Sequence, residues 1–284
     1  MCAAMLRPPL PSFHHSDFSA GVLAATKRAH RVSVCLPARD EEATVGAIVA
    51  TLIRELVDEH GLVDEVLVVD DGSSDSTAVV ARRAGARVVH APGLGKGGAM
   101  WTAVLEAEGD LIAFCDADVR NFSASFVVGM LGPLLADDEI AFVKAFYDRP
   151  YEDIPGQGGR VTELVAKPLL RRLFPHLESI LQPLAGECAS RRHVLERLPF
   201  VAGYGVDLGL VIDVVERFGA GALAQVDLGH REHRNRSLGE LSPQAEAVLA
   251  TALARARLAD EVGEHPPLVE VASYLGNTAL GNTA

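Results

Sequence analysis

In Leu111-Ile-Ala-Phe-Cys-Asp-Ala-Asp118 an apolar run stops abruptly on two carboxylates. A short, continuously apolar run with a polar stop has the pattern of a strand covered on both faces. Three similar runs lie upstream. Arg31-Val-Ser-Val-Cys-Leu36 leads into Pro37-Ala38-Arg39-Asp40-Glu41-Glu42, and Glu65-Val-Leu-Val-Val69 into Asp70-Asp71-Gly72-Ser73-Ser74-Asp75. Ala86-Arg-Val-Val-His90 leads into the glycine-rich turn at 92–98. Residues 44–59, 76–84 and 99–108 between them carry helical spacing. Strands alternating with helices predict an α/β fold, a mostly parallel sheet covered by helices. Such sheets bind ligands beyond the carboxyl ends of their strands, so four polar clusters on one edge predict a crevice.

The second half adds strands at 140–147 and 222–228 and helices at 160–173, 206–218 and 242–258. The reading of the whole is an N-terminal arm at 1–30 and one α/β domain at 31–258. That domain divides into two halves, 31–120 and 121–258. A tail follows at 259–284, where Leu-Gly-Asn-Thr-Ala occurs twice and partial disorder is expected.

A net charge of −12 argues against nucleic acid or an anionic membrane as partner. No apolar run reaches the roughly 20 residues that span a bilayer, and 126–135 is interrupted by Gly129, Gly132 and Pro133. With no secretory segment at the start and four widely spaced cysteines, a reducing cytoplasm is expected.

Asp116 and Asp118, spaced i, i+2 at a strand end, can share a side. Paired carboxylates raise each other's pKa unless a cation lies between them, and Mg²⁺ favours one or two carboxylates plus phosphate oxygens. A solvated acidic turn would carry the same residues. Asp40-Glu41-Glu42 and Asp70–Asp75 suit nucleoside recognition or helix capping. Gly93-Leu-Gly-Lys-Gly-Gly98 matches a dinucleotide fingerprint formally but follows the third strand, not the first, and has no Walker Ser or Thr after Lys96. Lys96 remains a cation for a diphosphate, or a solvated lysine in a turn. Gly158-Gly-Arg-Val-Thr162 opens a helix, with an Arg fork and a hydroxyl that suit a phosphate or simply cap. Arg231, Arg234 and Arg236 surround His233, a candidate third metal ligand.

Taken in order, these blocks resemble the actinobacterial glucosyl-3-phosphoglycerate synthases, retaining glycosyltransferases of the GT-A fold. The resemblance rests on Leu36-Pro-Ala-Arg-Asp-Glu-Glu42, Gly95-Lys-Gly-Gly-Ala-Met-Trp101, Asp116-Ala-Asp118, Val143-Lys-Ala-Phe-Tyr147, Gly159-Arg-Val-Thr-Glu-Leu164, Ile180–Leu184, Gly186-Glu187, Gly203-Tyr-Gly-Val206 and Arg231-Glu-His-Arg-Asn235. It implies transfer of glucose from UDP-glucose to the 2-hydroxyl of D-3-phosphoglycerate, with Mg²⁺ or Mn²⁺, by a homodimer. It also implies that Pro37, Ala38, Arg39, Glu41 and Asp71 hold the uridine, with Lys96, Asp116 and Ala117 beside the donor. Asp118 and His233 would bind the metal; Gly159, Arg160, Thr162 and Asn235 the acceptor. Asp207 stands where the family usually has Glu, beside the donor sugar. Catalytic candidates are Asp207, Asn235 and Lys96; Glu187 and Glu232 are further conceivable bases. The loops before Lys96 and Gly158 look shorter than usual.

Three other readings compete. One is a mannose-donor relative of the same fold. An aspartyl-nucleophile phosphatase would also place Asp-x-Asp after an apolar strand, but would want Thr or Val where Arg120 stands. The third is a non-catalytic nucleotide-sugar-binding protein.

Overall fold

The computed structural model describes residues 10–91, 93–149, 159–232, 237–259 and 262–271. In chain order the elements are β1 (Ser12–His14), α1 (Ala20–Thr26), β2 (Val32–Ala38), α2 (Val45–Thr51), β3 (Glu65–Asp70), α3 (Thr77–Arg83), β4 (Arg87–His90) and α4 (Gly95–Glu106). Then come β5 (Leu111–Phe114), α5 (Ala124–Ala136), β6 (Phe142–Asp148), α6 (Lys167–Leu173), β7 (Cys188–Arg191), α7 (Arg192–Leu195), β8 (Phe200–Val201), α8 (Val206–Phe218), β9 (Leu223–His230), α9 (Leu238–Arg255) and β10 (Glu264–His265). The helix expected over 44–59 is α2 continued by π-helical turns, Leu52–Glu59, and α6 is likewise preceded by π-helical turns, Thr162–Ala166.

The main sheet has eight strands in the order β1-β9-β6-β7-β5-β2-β3-β4. All neighbours are parallel except at β7, which runs antiparallel to both β5 and β6. Alternation along the strands fills both faces. On β3, Val66 and Val68 join one buried cluster while Leu67 and Val69 join the other. On β5, Leu111 and Ala113 go to one side, Ile112 and Phe114 to the opposite one. A sheet apolar on both faces needs a helical layer on each, and α4 and α8 cover the Phe114 side while α2 and α5 cover the other. Among the described residues no helix is long and apolar enough to cross a membrane.

Two segments enter the fold where the sequence suggests an arm and a tail. Residues 12–14 of the arm form β1, an edge strand paired with β9, and Leu10 lies in the core. The physical reason is α5, whose buried glycines make room for this segment. A Cβ on Gly132 would lie 2.2 Å from the Phe18 ring, and one on Gly129 2.8 Å from His15. At the other end β10 pairs with β8, and Leu268 is buried. Trp101, on α4, stacks on His265 at 5.4 Å and donates its indole N–H to the Pro266 carbonyl at 2.8 Å. The repeated Leu-Gly-Asn-Thr-Ala lies outside the described residues.

Glu65 ties the amino-terminal edge of the sheet together. Its carboxylate accepts from Ser33 Oγ on β2 at 2.6 Å, from the Glu108 N–H at 3.0 Å and from Arg87 Nε on β4 at 2.7 Å. Burial alone would raise its pKa, but these donors outweigh it and hold the carboxyl below its ordinary 4.5. A depressed folded pKa gives stability that is present above the unfolded value and lost as pH falls through the folded one. Urea melts between pH 7 and 3 should therefore show the parent losing stability below about pH 4.5, and E65Q, weaker at pH 7, converging on the parent at the acid end.

Candidate active site

A cavity of about 510 Å³ opens at the carboxyl ends of β2, β3, β5 and β6. It brings together every described residue of the expected donor, acceptor and metal sites, while Glu187 and Glu232, the further conceivable bases, do not line it. Pro37, Ala38, Arg39 and Glu41 line it from the end of β2, and Asp71 from the end of β3. Lys96 comes from the first turn of α4, and Asp116, Ala117 and Asp118 follow β5. Gly159, Arg160 and Thr162 face it from before α6, and Asp207 from the first turn of α8. His233 and Asn235 lie outside the described residues. Glu232, just before them, accepts the Arg120 N–H through its carbonyl at 3.0 Å.

Two glycines let these segments meet. A Cβ on Gly186 would lie 2.0 Å from Asp116 Oδ1, so the approach to β7 accepts only hydrogen there. Gly95 has φ +74° and would place a Cβ 3.2 Å from the Gly203 backbone, which seats the start of α4 against the turn before α8. The Asp71 carboxylate reaches across to the Leu94 and Gly95 N–H groups. Burial nevertheless raises its pKa, and its Oδ1 is buried with no partner among the described residues. Thr44 Oγ1 donates to the Ala117 carbonyl at 2.6 Å and so ties the Asp-x-Asp turn to α2.

The centre of the site is ionic. Arg231, 1 % exposed, places Nη2 2.9 Å from both Asp116 Oδ2 and Asp118 Oδ1, and Nη1 3.2 Å from Glu187 Oε2. The Tyr147 hydroxyl donates to Glu187 at 2.7 Å and accepts from Arg231 at 2.6 Å. Arg149, also on the cavity wall, donates to the same hydroxyl and lies over the Tyr147 ring. Lys96 Nζ is 3.2 Å from Asp116 Oδ1 and 2.9 Å from Asp207 Oδ2. Burial opposes ionisation of Asp116, but Lys96 and Arg231 overcome it and hold the carboxyl well below the usual range. Burial would also lower Lys96, yet Asp116 and Asp207 raise it, so it is a cation at any working pH. Glu187 goes the other way. Burial raises its pKa, and Arg231 only partly offsets that.

This arrangement separates the two aspartates. Asp116 has both oxygens engaged by cations, whereas Asp118 meets Arg231 through Oδ1. Among the described residues no group of three or more His, Cys, Asp or Glu side chains is placed to hold a metal. A hard oxygen donor facing a polar cavity, completed by substrate phosphates, nonetheless fits Mg²⁺ or Mn²⁺, and Asp118 lines the cavity with its Oδ1 on Arg231.

The Glycosyl transferase family 2 model matches residues 33–195. The chain belongs to that family. It is 45 % identical over 264 residues, 88 % of its length and 79 % of the relative's, to the glucosyl-3-phosphoglycerate synthase of Mycolicibacterium paratuberculosis. It is 41 % identical to that of Petrotoga mobilis, over 86 % of this chain and 80 % of the relative. A crystal structure of the Mycobacterium tuberculosis synthase in complex with Mn²⁺, UDP-glucose and phosphoglyceric acid superposes with a TM-score of 0.85 at 41 % identity, covering 93 % of this chain and 99 % of that one. The sheet and its helices are thus the GT-A fold, and the chain is a glycosyltransferase, not an aspartyl phosphatase or a non-catalytic binder. Spacing marks Arg231 only as local positive charge and does not single out Arg149, because what joins them to the carboxylates is the packing of separate strand ends.

Replacing Arg231 by Met would leave the buried Glu187 and the partly exposed Asp116 and Asp118 around a neutral side chain. Removing one partner of a buried ionic cluster typically costs about 3–5 kcal/mol, so chemical denaturation of R231M should show a loss of that order.

Proposed function

We propose that this glycosyltransferase moves glucose from UDP-glucose to the 2-hydroxyl of D-3-phosphoglycerate, keeping the α configuration, with Mg²⁺ or Mn²⁺ bound. One observation carries the reading. A single cavity gathers nucleoside, diphosphate and acceptor-type residues in a chain 45 % identical to enzymes of that name over most of its length. The structures of the Mycobacterium tuberculosis enzyme hold UDP-glucose, phosphoglyceric acid and Mn²⁺, or UDP and Mg²⁺.

In this reading Pro37, Ala38, Arg39 and Glu41 frame the uridine, and the buried Oδ1 of Asp71, which has no partner among the described residues, accepts from the uracil or ribose. Asp116 and Ala117 flank the ribose and diphosphate, with Lys96 as the cation beside the phosphates. Asp118 and His233 hold the metal, which when bound neutralises the departing diphosphate. The N–H groups after Gly159, the Arg160 fork and the Thr162 hydroxyl suit the acceptor phosphate, with Asn235 close to it. Asp207 accepts from the donor sugar's hydroxyls. Its carboxylate is shorter by one methylene than the Glu usual in the family, so a mannose donor is the alternative to test. A general base for an inverting route would come from Asp207, Glu187 or Glu232, whereas with retention the leaving diphosphate takes the acceptor's proton on the same face. The reading also includes a homodimer working in the cytoplasm.

A nucleotide-sugar panel with 3-phosphoglycerate should release UDP fastest from UDP-glucose. EDTA should abolish the release and Mg²⁺ or Mn²⁺ restore it, with an α-linked product by NMR. No turnover with any donor sinks the proposal, and faster release from a mannose donor shifts it to that sugar. R160A should raise KM for 3-phosphoglycerate roughly ten- to a hundredfold, as expected for loss of a charged hydrogen bond, with KM for UDP-glucose little changed. Sedimentation velocity tests the dimer.

A further inference from the structure

Lys144 is 1 % exposed in the middle of β6, between β7 and β9. It does not line the cavity. Among the described residues its ammonium has one ionic partner, Asp207 Oδ1, at 3.5 Å. That is long for a charge-assisted hydrogen bond, and an ammonium taken out of water for a single loose contact is costly. Asp207 does not need it as a counter-ion while Lys96 sits 2.9 Å from its other oxygen. Lys96, however, is shared with Asp116, lines the cavity and keeps 18 % of its side chain exposed. It is the ammonium that an incoming diphosphate can recruit. Were it the sole partner of Asp207, its turning to the phosphates would strand a carboxylate that is only 4 % exposed.

We infer that Lys144 is a positioning residue: it is the fixed counter-ion of Asp207, and by holding that carboxylate from beneath it releases Lys96 to the donor's diphosphate. This rests on the donor reading above and adds to it a division of labour between the two lysines. One is fixed and buried, the other shared between the protein and its substrate. In the apolar variant K144M, Lys96 is retained by Asp207, and the diphosphate must compete for it.

The probe is UDP itself, which carries the diphosphate but no sugar, titrated calorimetrically in Mg²⁺ buffer into the parent, K144M, D207N and K144M/D207N. K144M should bind UDP about tenfold or more weakly, the scale of one charged hydrogen bond. The double variant should bind within about twofold of D207N, because no carboxylate is left to retain Lys96. UDP affinity in K144M equal to the parent's overturns the inference. So does an undiminished effect of Lys144 in the D207N background, which a merely structural lysine would give. If circular dichroism shows that K144M does not fold, the D207N pair decides. Equal affinities uphold the inference and a further loss overturns it. Failure of the parent to bind UDP would instead count against the donor reading.

Discussion

The guanidinium of Arg231 holds three carboxylates from two different segments, and the architecture of the active edge depends on that clamp. Asp116 and Asp118 follow β5, Glu187 precedes β7, and Arg231 itself follows β9. Without a buried cation these groups would repel one another in a poorly screening interior, where charges interact far more strongly than in water. An arginine meets the need better than a lysine, because its planar fork serves several oxygens at once and stays charged. Burial of this cluster is tolerable only because its charges are matched, and the matching fixes the relative positions of the strand ends that the substrates must bridge.

The antiparallel β7 makes that clamp possible. A wholly parallel sheet would send every chain away from the carboxyl edge after each strand. Because β7 runs the other way, Gly186 and Glu187 arrive at that edge before the strand begins, and Gly186 lets Asp116 pack against the incoming backbone. The acidic group with the raised pKa is thereby placed beneath the cations rather than in solvent.

Much of this is legible in the sequence. The strands that lead into Pro37, Asp70 and Asp116 carry their own signal, because continuous apolarity with a polar stop marks a strand buried on both faces, and the residues just beyond them do line the cavity. Other parts have no local signal. α5 is buried nearly all round, so its residues show no amphipathic period, and its glycines and proline read as breaks. Those glycines are contact points for His15 and Phe18, a relation between distant segments that no window of sequence displays. β1 is three residues long and β10 two, too short for alternation to register, which is why the sequence suggests an arm and a tail where the structure has an edge strand and a strap. Lys144 belongs to the same class. A lysine in a strand reads as an edge or solvent-facing residue, and only the approach of α8 gives it a carboxylate.

The stacking of Trp101 on His265 has an optical consequence. Trp101 is the single tryptophan of the chain, and it lies on α4, the helix whose first turn carries Lys96. The protein therefore contains one indole chromophore, bound between a cavity-lining helix and the carboxy-terminal strap. Its emission comes from one known place, with no second indole to blur it. Movement of α4 as the cavity fills, or loosening of the strap, would register as a change in colour or intensity without any label attached.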